Sequence, residues 1–310
     1  MSSFYSVRSI LACGLLSCAI MGAAQAKPMV GLAVANLQAD FFNQIKQSVA
    51  KEAKEKDVDL IVVDAHGDSA TQVNQIQDLI TRGVNAIIYI PAGATAAGVP
   101  VRMAELAHIP VVAVDRNAPD APAQTFIATD SVASARKIGE FVCEKTGGKG
   151  QVAIVQGQTG TTPERDRAKG FDEALAKCPG LKIVAQQPSQ MWSQSDGFNI
   201  GQDMLQRHPD ITVFFGRADA LALGAAQATK IANLDHPVLI VGHDGDVAGL
   251  KAVQKGTLAA TMTQKTQFMG KLALDSALDL IAKKPVPALQ LQEAILTTKE
   301  NVAPFIAQHP

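Results

Sequence analysis

An acid, a base and an amide follow one strongly apolar segment of this chain. Residues 111–114 read Val-Val-Ala-Val, and Asp115, Arg116 and Asn117 come directly after them. Three of the four apolar residues are β-branched, which is typical of a strand buried in a parallel sheet. Ligands of open α/β sheets bind just beyond the carboxyl ends of such strands. A carboxylate beside a guanidinium there can accept from and donate to one small polyhydroxylated molecule, although a lone pair of this kind is more often an ion pair that closes a loop.

The same arrangement recurs twice further along the chain. Residues 238–241 are apolar and are followed within three positions by Asp244. Residues 213–215 are apolar and are followed by Arg217 and Asp219. Several strand ends that carry hydrogen-bonding groups are better explained by one shared site than by separate loops.

The segments that position these groups alternate between strand and helix patterns over the first part of the chain. Strands are expected at residues 29–35, 60–63, 86–90 and 111–114, and helices at residues 41–56, 69–82 and 94–107. This alternation with short links is typical of a parallel sheet that is covered by helices on both faces.

From residue 131 the alternation of helix and strand patterns begins a second time. Helices are expected at residues 131–144, 164–177, 196–207, 220–232 and 267–283, and strands at residues 151–156, 181–185, 212–216, 238–241 and near 290–296. Both halves open with the same order of strand, loop, helix and strand. We therefore predict an α/β fold of two similar doubly wound parallel-sheet lobes.

The bulk composition narrows the classes of function. A length of 310 residues is ample for two domains, and a formal net charge of −1 gives no basic excess that would favour nucleic acid. Gly147-Gly148-Lys149-Gly150 lacks the order of a phosphate loop and precedes a strand, so it is interpreted as a turn. Because no nucleophile and base pair, cofactor motif or metal motif is found, we expect no enzyme, no cofactor and no metal.

The first 26 residues have the pattern of a cleaved signal peptide. Arg8 precedes an apolar stretch over residues 10–21, and Ala24-Gln25-Ala26 provides a small-x-small cleavage site. The apolar stretch is shorter than the ~20 residues of a membrane span, which argues against a retained anchor. The mature chain is expected to begin at Lys27, in the oxidising periplasm of a bacterium.

Removal of the signal peptide leaves two of the four cysteines, Cys143 and Cys178. They could be two buried thiols or one disulfide, and their spacing fits neither a zinc site nor a redox motif. Each lies near the end of a helix that flanks the strand at residues 151–156. If that strand neighbours the one at residues 181–185, the two helices lie side by side. We therefore predict a disulfide.

The chain from Lys27 onward resembles the periplasmic sugar-binding proteins of ABC transporters, of the ribose-binding-protein type. The motifs that carry this resemblance are Asp40-Phe41-Phe42, Val114-Asp115-Arg116, Glu164-Arg165-Asp166-Arg167-Ala168-Lys169-Gly170-Phe171, Val241-Gly242-His243-Asp244-Gly245 and Ala259-Ala260-Thr261-Met262-Thr263-Gln264. The resemblance implies two lobes joined by a three-segment hinge, with the sugar in the cleft and closure around it. We expect an N-terminal lobe of residues 27–129 plus about 264–291, and a C-terminal lobe of residues 130–263 plus about 292–310.

The resemblance also implies a set of aromatic ligand contacts. Phe41 and Phe42 fall on positions that pack against the sugar ring, and core packing is the alternative for one of them. Trp192, the only tryptophan, falls on the facing aromatic position, although a shift of one residue would place Met191 there. Aromatic faces suit the apolar C–H faces of a sugar.

Polar ligand contacts follow from the same resemblance. Asp115 and Arg116 fall on an acid and a base that bind hydroxyls, and Arg167 falls on an arginine of the second lobe. Asp244 falls on a hydroxyl acceptor, and Gln264 on an amide beside the hinge. Carboxylates and guanidinium groups match paired sugar hydroxyls.

Three positions depart from the family pattern, because alanines stand where polar contacts are usual. The alanines are Ala35, Ala39 and Ala218, and the polar neighbours that are candidates to replace them are Asn36, Gln38 and Arg217. Asn36 is therefore included among the expected ligand-binding residues. The departures leave the identity of the sugar or polyol open.

The expected partners are a small neutral sugar or polyol and the membrane permease of an ABC importer, and the protein is expected to be a monomer. A chemoreceptor or sensor kinase is an alternative partner, and a periplasmic carbohydrate-active enzyme is a less favoured alternative. A sugar-responsive repressor core would need an N-terminal helix-turn-helix, where this chain has an apolar signal sequence.

Overall fold

The structure is a computed structural model that describes residue 1, residues 27–94 and residues 96–308. Apart from Met1, the signal peptide expected at residues 1–26 lies outside the described residues. Across the described ranges, no helix combines the length and the apolar character that a membrane crossing requires.

The first lobe is built on a six-stranded parallel sheet with the strand order β11-β5-β4-β3-β1-β2. Its strands are β1 (Met29–Val34), β2 (Asp59–Asp64), β3 (Ala86–Tyr89), β4 (Val111–Val114), β5 (Thr125–Thr129) and β11 (Leu289–Gln292). Its helices are α1 (Asp40–Glu55), α2 (Ser69–Thr81), α3 (Gly98–Leu106) and α9 (Thr266–Ile281).

The second lobe repeats this plan with the strand order β12-β10-β9-β8-β6-β7, and β12 alone runs antiparallel. Its strands are β6 (Lys149–Gln156), β7 (Gly180–Pro188), β8 (Val213–Gly216), β9 (Leu239–Val241), β10 (Ala260–Thr263) and β12 (Ile295–Thr298). Its helices are α4 (Ser131–Lys145), α5 (Thr162–Leu175), α6 (Gln194–Arg207), α7 (Asp219–Ala232), α8 (Val247–Lys255) and α10 (Ala303–Gln308). The predicted fold class of two doubly wound α/β lobes is confirmed.

Burial explains why the central strands are so apolar. Every residue of β3, β4 and β8 is buried, because helices cover both faces of each sheet. Helix α1 buries Ile45, Val49 and Ala53 along one side, at the spacing of a helix face. These side chains join the core cluster that includes β1 and α9. The result is two rigid lobes whose strand ends face each other.

Three crossings connect the sheets, at residues 129–131, 263–266 and 292–295. The third crossing corrects one prediction. The single strand expected near residues 290–296 is wrong, because residues 289–292 pair in the first sheet and residues 295–298 in the second. Two strands of four residues each, Leu-Gln-Leu-Gln and Ile-Leu-Thr-Thr, give little signal of a change of sheet between them.

Cys143 and Cys178 are joined by a disulfide, as predicted, with their Cα atoms 6.1 Å apart. Cys143 lies in the last turn of α4, and Cys178 follows the end of α5. Because β6 lies beside β7, these two helices pack along each other, and the disulfide joins their C-terminal ends.

Candidate functional site

A cavity of about 550 Å³ lies between the lobes, at the carboxyl ends of the strands. Eight of the nine side chains expected to contact a ligand line it: Asn36, Phe41, Phe42, Asp115, Arg116, Arg167, Trp192 and Asp244. The ninth, Gln264, does not line the cavity and lies behind Asp244.

Two phenylalanines form the apolar wall of the first lobe. Phe41 and Phe42 occupy the first turn of α1, and their rings meet edge to face with centroids 5.4 Å apart. The Arg116 guanidinium lies 5.2 Å from the centroid of the Phe42 ring. The stacked guanidinium fixes this ring, which leaves an apolar surface toward the cavity.

Asp115 and Arg116 follow β4 in an unusual backbone conformation. Asp115 has a φ of 62°, in the left-handed region that side chains other than glycine rarely adopt, and strain of this kind clusters at binding sites. Arg116 Nη1 donates to the carbonyls of Pro91 and Ala92 over 3.1 and 3.2 Å. Arg116 Nε lies 3.6 Å from Asp115 Oδ2. The guanidinium is thus held in place by backbone oxygens and stands beside a buried carboxylate.

The second lobe contributes a matching acid and base. Arg167 of α5 is buried, and its Nη2 donates to Asp244 Oδ1 over 3.2 Å. Its Nη1 donates to the backbone carbonyl of Arg217. Gln264 Nε2 also donates to Asp244 Oδ1, over 2.8 Å. The carboxylate after β9 is therefore fixed by donors from two other segments.

Burial shifts the protonation of both carboxylates. It raises the pKa of Asp115 to about 6, although Arg116 and Arg167 act in the opposite direction. It also raises the pKa of Asp244 to about 6, against the effects of Arg167 and Gln264. Desolvation disfavours the charged form of each acid, so hydrogen bonds from a ligand would favour ionisation.

Trp192 forms the aromatic wall of the second lobe. Its ring centroid lies 5.7 Å from the guanidinium carbons of both Arg116 and Arg167. A Cβ at position 157 would overlap the indole ring, so Gly157 is needed for this close approach. Met191 lines the cavity as well, but it is the Trp192 ring that lies against the two arginines.

The alanines that depart from the family pattern differ in position. Ala39 and Ala218 line the cavity, whereas Ala35 is buried beneath it. Of the polar neighbours, Asn36 and Gln38 line the cavity. Arg217 does not, because its guanidinium, only 1 % exposed, pairs with Glu164 at 3.1 Å.

Three acids at the cavity, Asp40, Asp196 and Asp246, were not identified as site residues from the sequence. Asp40 lies at the start of α1 in the first lobe, and Asp246 caps the N-terminus of α8 in the second. Burial, with a smaller contribution from the neighbouring carboxylates of Asp244 and Asp40, raises the pKa of Asp246 to about 7. An aspartate that precedes the apolar pattern of Val247 and Leu250 was the available signal for a helix cap.

This arrangement suits reversible capture of a hydroxylated molecule. Aromatic walls face carboxylate acceptors and guanidinium donors inside one cavity. Within residues 27–94 and 96–308, no group of three or more His, Cys, Asp or Glu side chains is placed to hold a metal ion.

Comparison with known proteins agrees with this geometry. A family model described as a periplasmic binding protein domain matches residues 30–285. The ribose import binding protein of Haemophilus influenzae is 34% identical over 274 residues, which cover 88% of this chain and 92% of that protein. The xylitol-binding protein of Mycolicibacterium smegmatis is 30% identical over 274 residues, which cover 88% of this chain and 78% of that protein.

A solved structure has the same architecture. The periplasmic binding protein of the arabinose ABC transporter from Shewanella sp. ANA-3, bound to α- and β-L-arabinofuranose, superposes with a TM-score of 0.84. It is 30% identical in sequence, and the match covers 90% of this chain and 95% of that one.

Proposed function

Because this chain belongs to the periplasmic binding protein family, we propose that its cavity captures a small neutral sugar or polyol and delivers it to an ABC importer. The observation that carries the proposal is the meeting of two acid–base pairs, Asp115 with Arg116 and Asp244 with Arg167, inside one cavity between the lobes. The binding proteins for ribose, xylitol and L-arabinofuranose to which it is similar support a sugar or polyol as the ligand.

Each wall of the cavity has a distinct role in this proposal. Phe41, Phe42 and Trp192 pack against the C–H faces of the ligand. Asp115 and Asp244 accept from its hydroxyls, while Arg116 and Arg167 donate to them. Asn36 supplies a further amide, and Gln264 acts through Asp244. None of these groups is required to form or break a covalent bond, so the ligand leaves unchanged.

The closed form of the lobes is the state that an importer would recognise. A ligand held between the lobes makes contacts that it lacks when they part, and this difference in free energy shifts the population toward the closed form. The proposed lobes are residues 27–129 with about 264–291, and residues 130–263 with about 292–310. The mature protein acts in the periplasm as a monomer after removal of residues 1–26, and a chemoreceptor could read the same closed form.

The direct test is a thermal-shift screen of the mature chain against pentoses, hexoses, furanoses and polyols. A ligand that binds only the folded state must raise the melting temperature, by an amount that grows with the logarithm of its concentration relative to Kd. The Asp115→Ala and Asp244→Ala variants serve as controls, since a shift through this cavity should vanish in both. No shift with any member of the panel would contradict the proposed function.

A further inference from the structure

His243 is a fully buried imidazole, 0 % exposed, that stands directly before Asp244. Its Nε2 lies 2.9 Å from Ser134 Oγ, and its Nδ1 lies 3.4 Å from Asp244 Oδ1. Neither His243 nor Ser134 lines the cavity. The serine and the histidine are therefore out of reach of a substrate in the cavity and cannot act as a nucleophile with its base.

Asp244 Oδ1 at 3.4 Å and the amide donor Gln264 Nε2 at 3.5 Å both face Nδ1 of the imidazole, and the carboxylate, which carries a full charge, favours a proton there. A proton on Nδ1 lets the ring donate to the Asp244 carboxylate and lets Nε2 accept from the Ser134 hydroxyl. The opposite tautomer would place a lone pair of Nδ1 against a carboxylate oxygen. Burial, together with Arg167 and Arg217, lowers the pKa of His243 well below its ordinary value, so the ring is neutral at physiological pH.

The side-chain donors that reach Asp244 meet the same oxygen. Arg167 Nη2, Gln264 Nε2 and His243 Nδ1 lie 3.2, 2.8 and 3.4 Å from Oδ1. Within the part of the chain that the structure describes, no side-chain donor reaches Oδ2. The side chains of the protein therefore hold Asp244 through Oδ1, while the residue itself lines the cavity.

The same array connects Asp244 to the crossings between the lobes. Ser134 lies in the first turn of α4, which Asp130 caps from the first crossing. The Asp130 N–H donates to the Gln292 carbonyl at the third crossing, over 2.8 Å. Gln264, at the second crossing, accepts from Thr129 Oγ1. Any rotation at the crossings would change the surroundings of Asp244.

We propose that His243 is a positioning residue: together with Ser134 it orients the Asp244 carboxylate toward the ligand and ties it to the first crossing. This inference rests on the proposed function, because it assigns Asp244 as a ligand acceptor. The ionisable groups that face Asp244 from other segments are Asp115, Arg116, Arg167, Asp219 and Asp246.

The first experiment needs no ligand. Nitrogen-15 NMR of histidine-labelled mature protein reports the tautomer of each imidazole, with the His243→Phe variant assigning the signal. We expect a neutral Nδ1–H ring that does not titrate between pH 5.5 and 8. An Nε2–H ring or a titrating ring would overturn the inference, whether or not any sugar binds.

The second experiment measures function by calorimetric titration with xylitol, L-arabinose and D-ribose. For the sugar that binds the unmodified protein most tightly, His243→Phe should weaken binding at least fivefold at pH 7.5. The loss should be larger at pH 6, because a carboxylate with one donor fewer takes up its proton at higher pH. Ser134→Ala should weaken binding less and in the same direction.

The matched control is His236→Phe, which removes an imidazole of the same lobe that bonds to Asp235 and to the Ile211 carbonyl outside the cavity. It should leave affinity and its pH profile unchanged. Unchanged affinity and pH profile in His243→Phe would overturn the inference. If no sugar of the panel binds the unmodified protein, the proposed function fails. The tautomer measured by NMR still shows whether the His243 ring donates to Asp244.

Discussion

The backbone N–H of Val247 in the second lobe donates to Asp40 Oδ2 of the first lobe across 3.3 Å. Gln44 Nε2 donates to the same carboxylate over 2.8 Å, and Thr266 Oγ1 donates to Gln44 Oε1 over 2.6 Å. A chain of hydrogen bonds within the first lobe therefore holds Asp40 against the first residue of α8. Negative charge at a helix N-terminus is favourable, so this contact holds the two lobes together against the repulsion between Asp40 and the capping carboxylate of Asp246.

Replacing Asp40 by alanine should shift the protein toward the open form. The lost hydrogen bond is worth about 1 kcal/mol, which corresponds to roughly a fivefold change in the closed population. X-ray scattering of the unliganded variant should give a larger radius of gyration than the parent. Glu55→Gln, which changes an exposed charge at the far end of the same helix, is the control and should not alter it. An unaltered radius in Asp40→Ala would show that this contact does not govern closure.

Protonation of the two buried carboxylates should make stability depend on pH. Asp115 and Asp244 have pKa values of about 6 in the folded state, against 3.8 for an ordinary aspartate. The folded state therefore binds more protons than the unfolded state between these values, and stability falls as the pH rises through about 6. Across the whole range from the ordinary to the folded pKa, the loss is about 3 kcal/mol per group.

Urea unfolding of the unliganded protein at pH 5 and pH 7.5 measures this dependence. Asp244→Asn should flatten the profile, whereas Asp78→Asn at an exposed position should leave it unchanged. Sugar affinity, unlike the stability of the fold, should rise with pH between 5 and 7, because hydroxyl donors favour the ionised acids. A parent protein that is more stable at pH 7.5 than at pH 5 would contradict the assignment.

The sequence predicted the lobes and most of the cavity because both depend on local patterns. Asp115 and Asp244 end apolar strands, and strand ends meet at one edge of a parallel sheet. The strand at residues 125–129 was not anticipated, since it has three apolar residues between two threonines. Helix α8, whose first residue Val247 contacts Asp40, was not predicted from the sequence either.

The remaining features depend on contacts that no local pattern encodes. In the sequence His243 stands out only as part of the motif around Asp244, whereas its contact with Ser134 joins positions more than a hundred residues apart. Arg217 follows a strand end like Arg116 does, yet its guanidinium turns to Glu164 and away from the cavity. Which side of a strand end faces the cleft is set by tertiary packing, so sequence spacing could not separate these two arginines.

The buried pair of Glu164 and Arg217 should support Trp192 indirectly. Glu164 Oε1 accepts from Arg217 over 3.1 Å, and its Oε2 accepts from the Gly157 N–H, beneath the indole ring, over 2.6 Å. Removing one partner leaves a buried charge unpaired, so Glu164→Gln and Arg217→Met should each destabilise the fold by about 3–5 kcal/mol. The double variant Glu164→Leu with Arg217→Met should recover much of that loss.

Urea unfolding measures these changes, and the emission of Trp192, the only tryptophan, reports the site directly. We expect an emission shift in both single variants. The half-exposed pair of Arg136 and Glu173 provides the control, because solvent screens it and its removal should destabilise the fold far less than removal of the buried pair. Equal effects of the two pairs would show that the buried pair does not support the site.

The disulfide should stabilise the second lobe without affecting the cavity. It closes a loop with a sequence separation of 35 residues between Cys143 and Cys178. For a loop of this length the chain-entropy model gives about 4 kcal/mol. The double variant Cys143→Ser with Cys178→Ser should unfold at lower urea, while its sugar affinity stays within about twofold because neither cysteine lines the cavity. A large loss of affinity at unchanged stability would refute this separation.

The last prediction concerns the ligand itself. Ala39 and Ala218 present methyl groups to the cavity where the family pattern usually has polar side chains, and Arg217 does not replace them. D-ribose in the family pose would lose direct partners at about 1 kcal/mol each, and micromolar affinity amounts to only about 8 kcal/mol. Asn36, Gln38 and water can replace some of these contacts, but a different stereoisomer, a ligand with fewer hydroxyls or an acyclic polyol would avoid the loss.

We therefore expect a pentose-sized sugar or polyol to bind at least tenfold more tightly than D-ribose in calorimetry, and Ala218→Asn to narrow that gap. D-ribose as the tightest ligand of the panel would show that the alanines do not set the specificity.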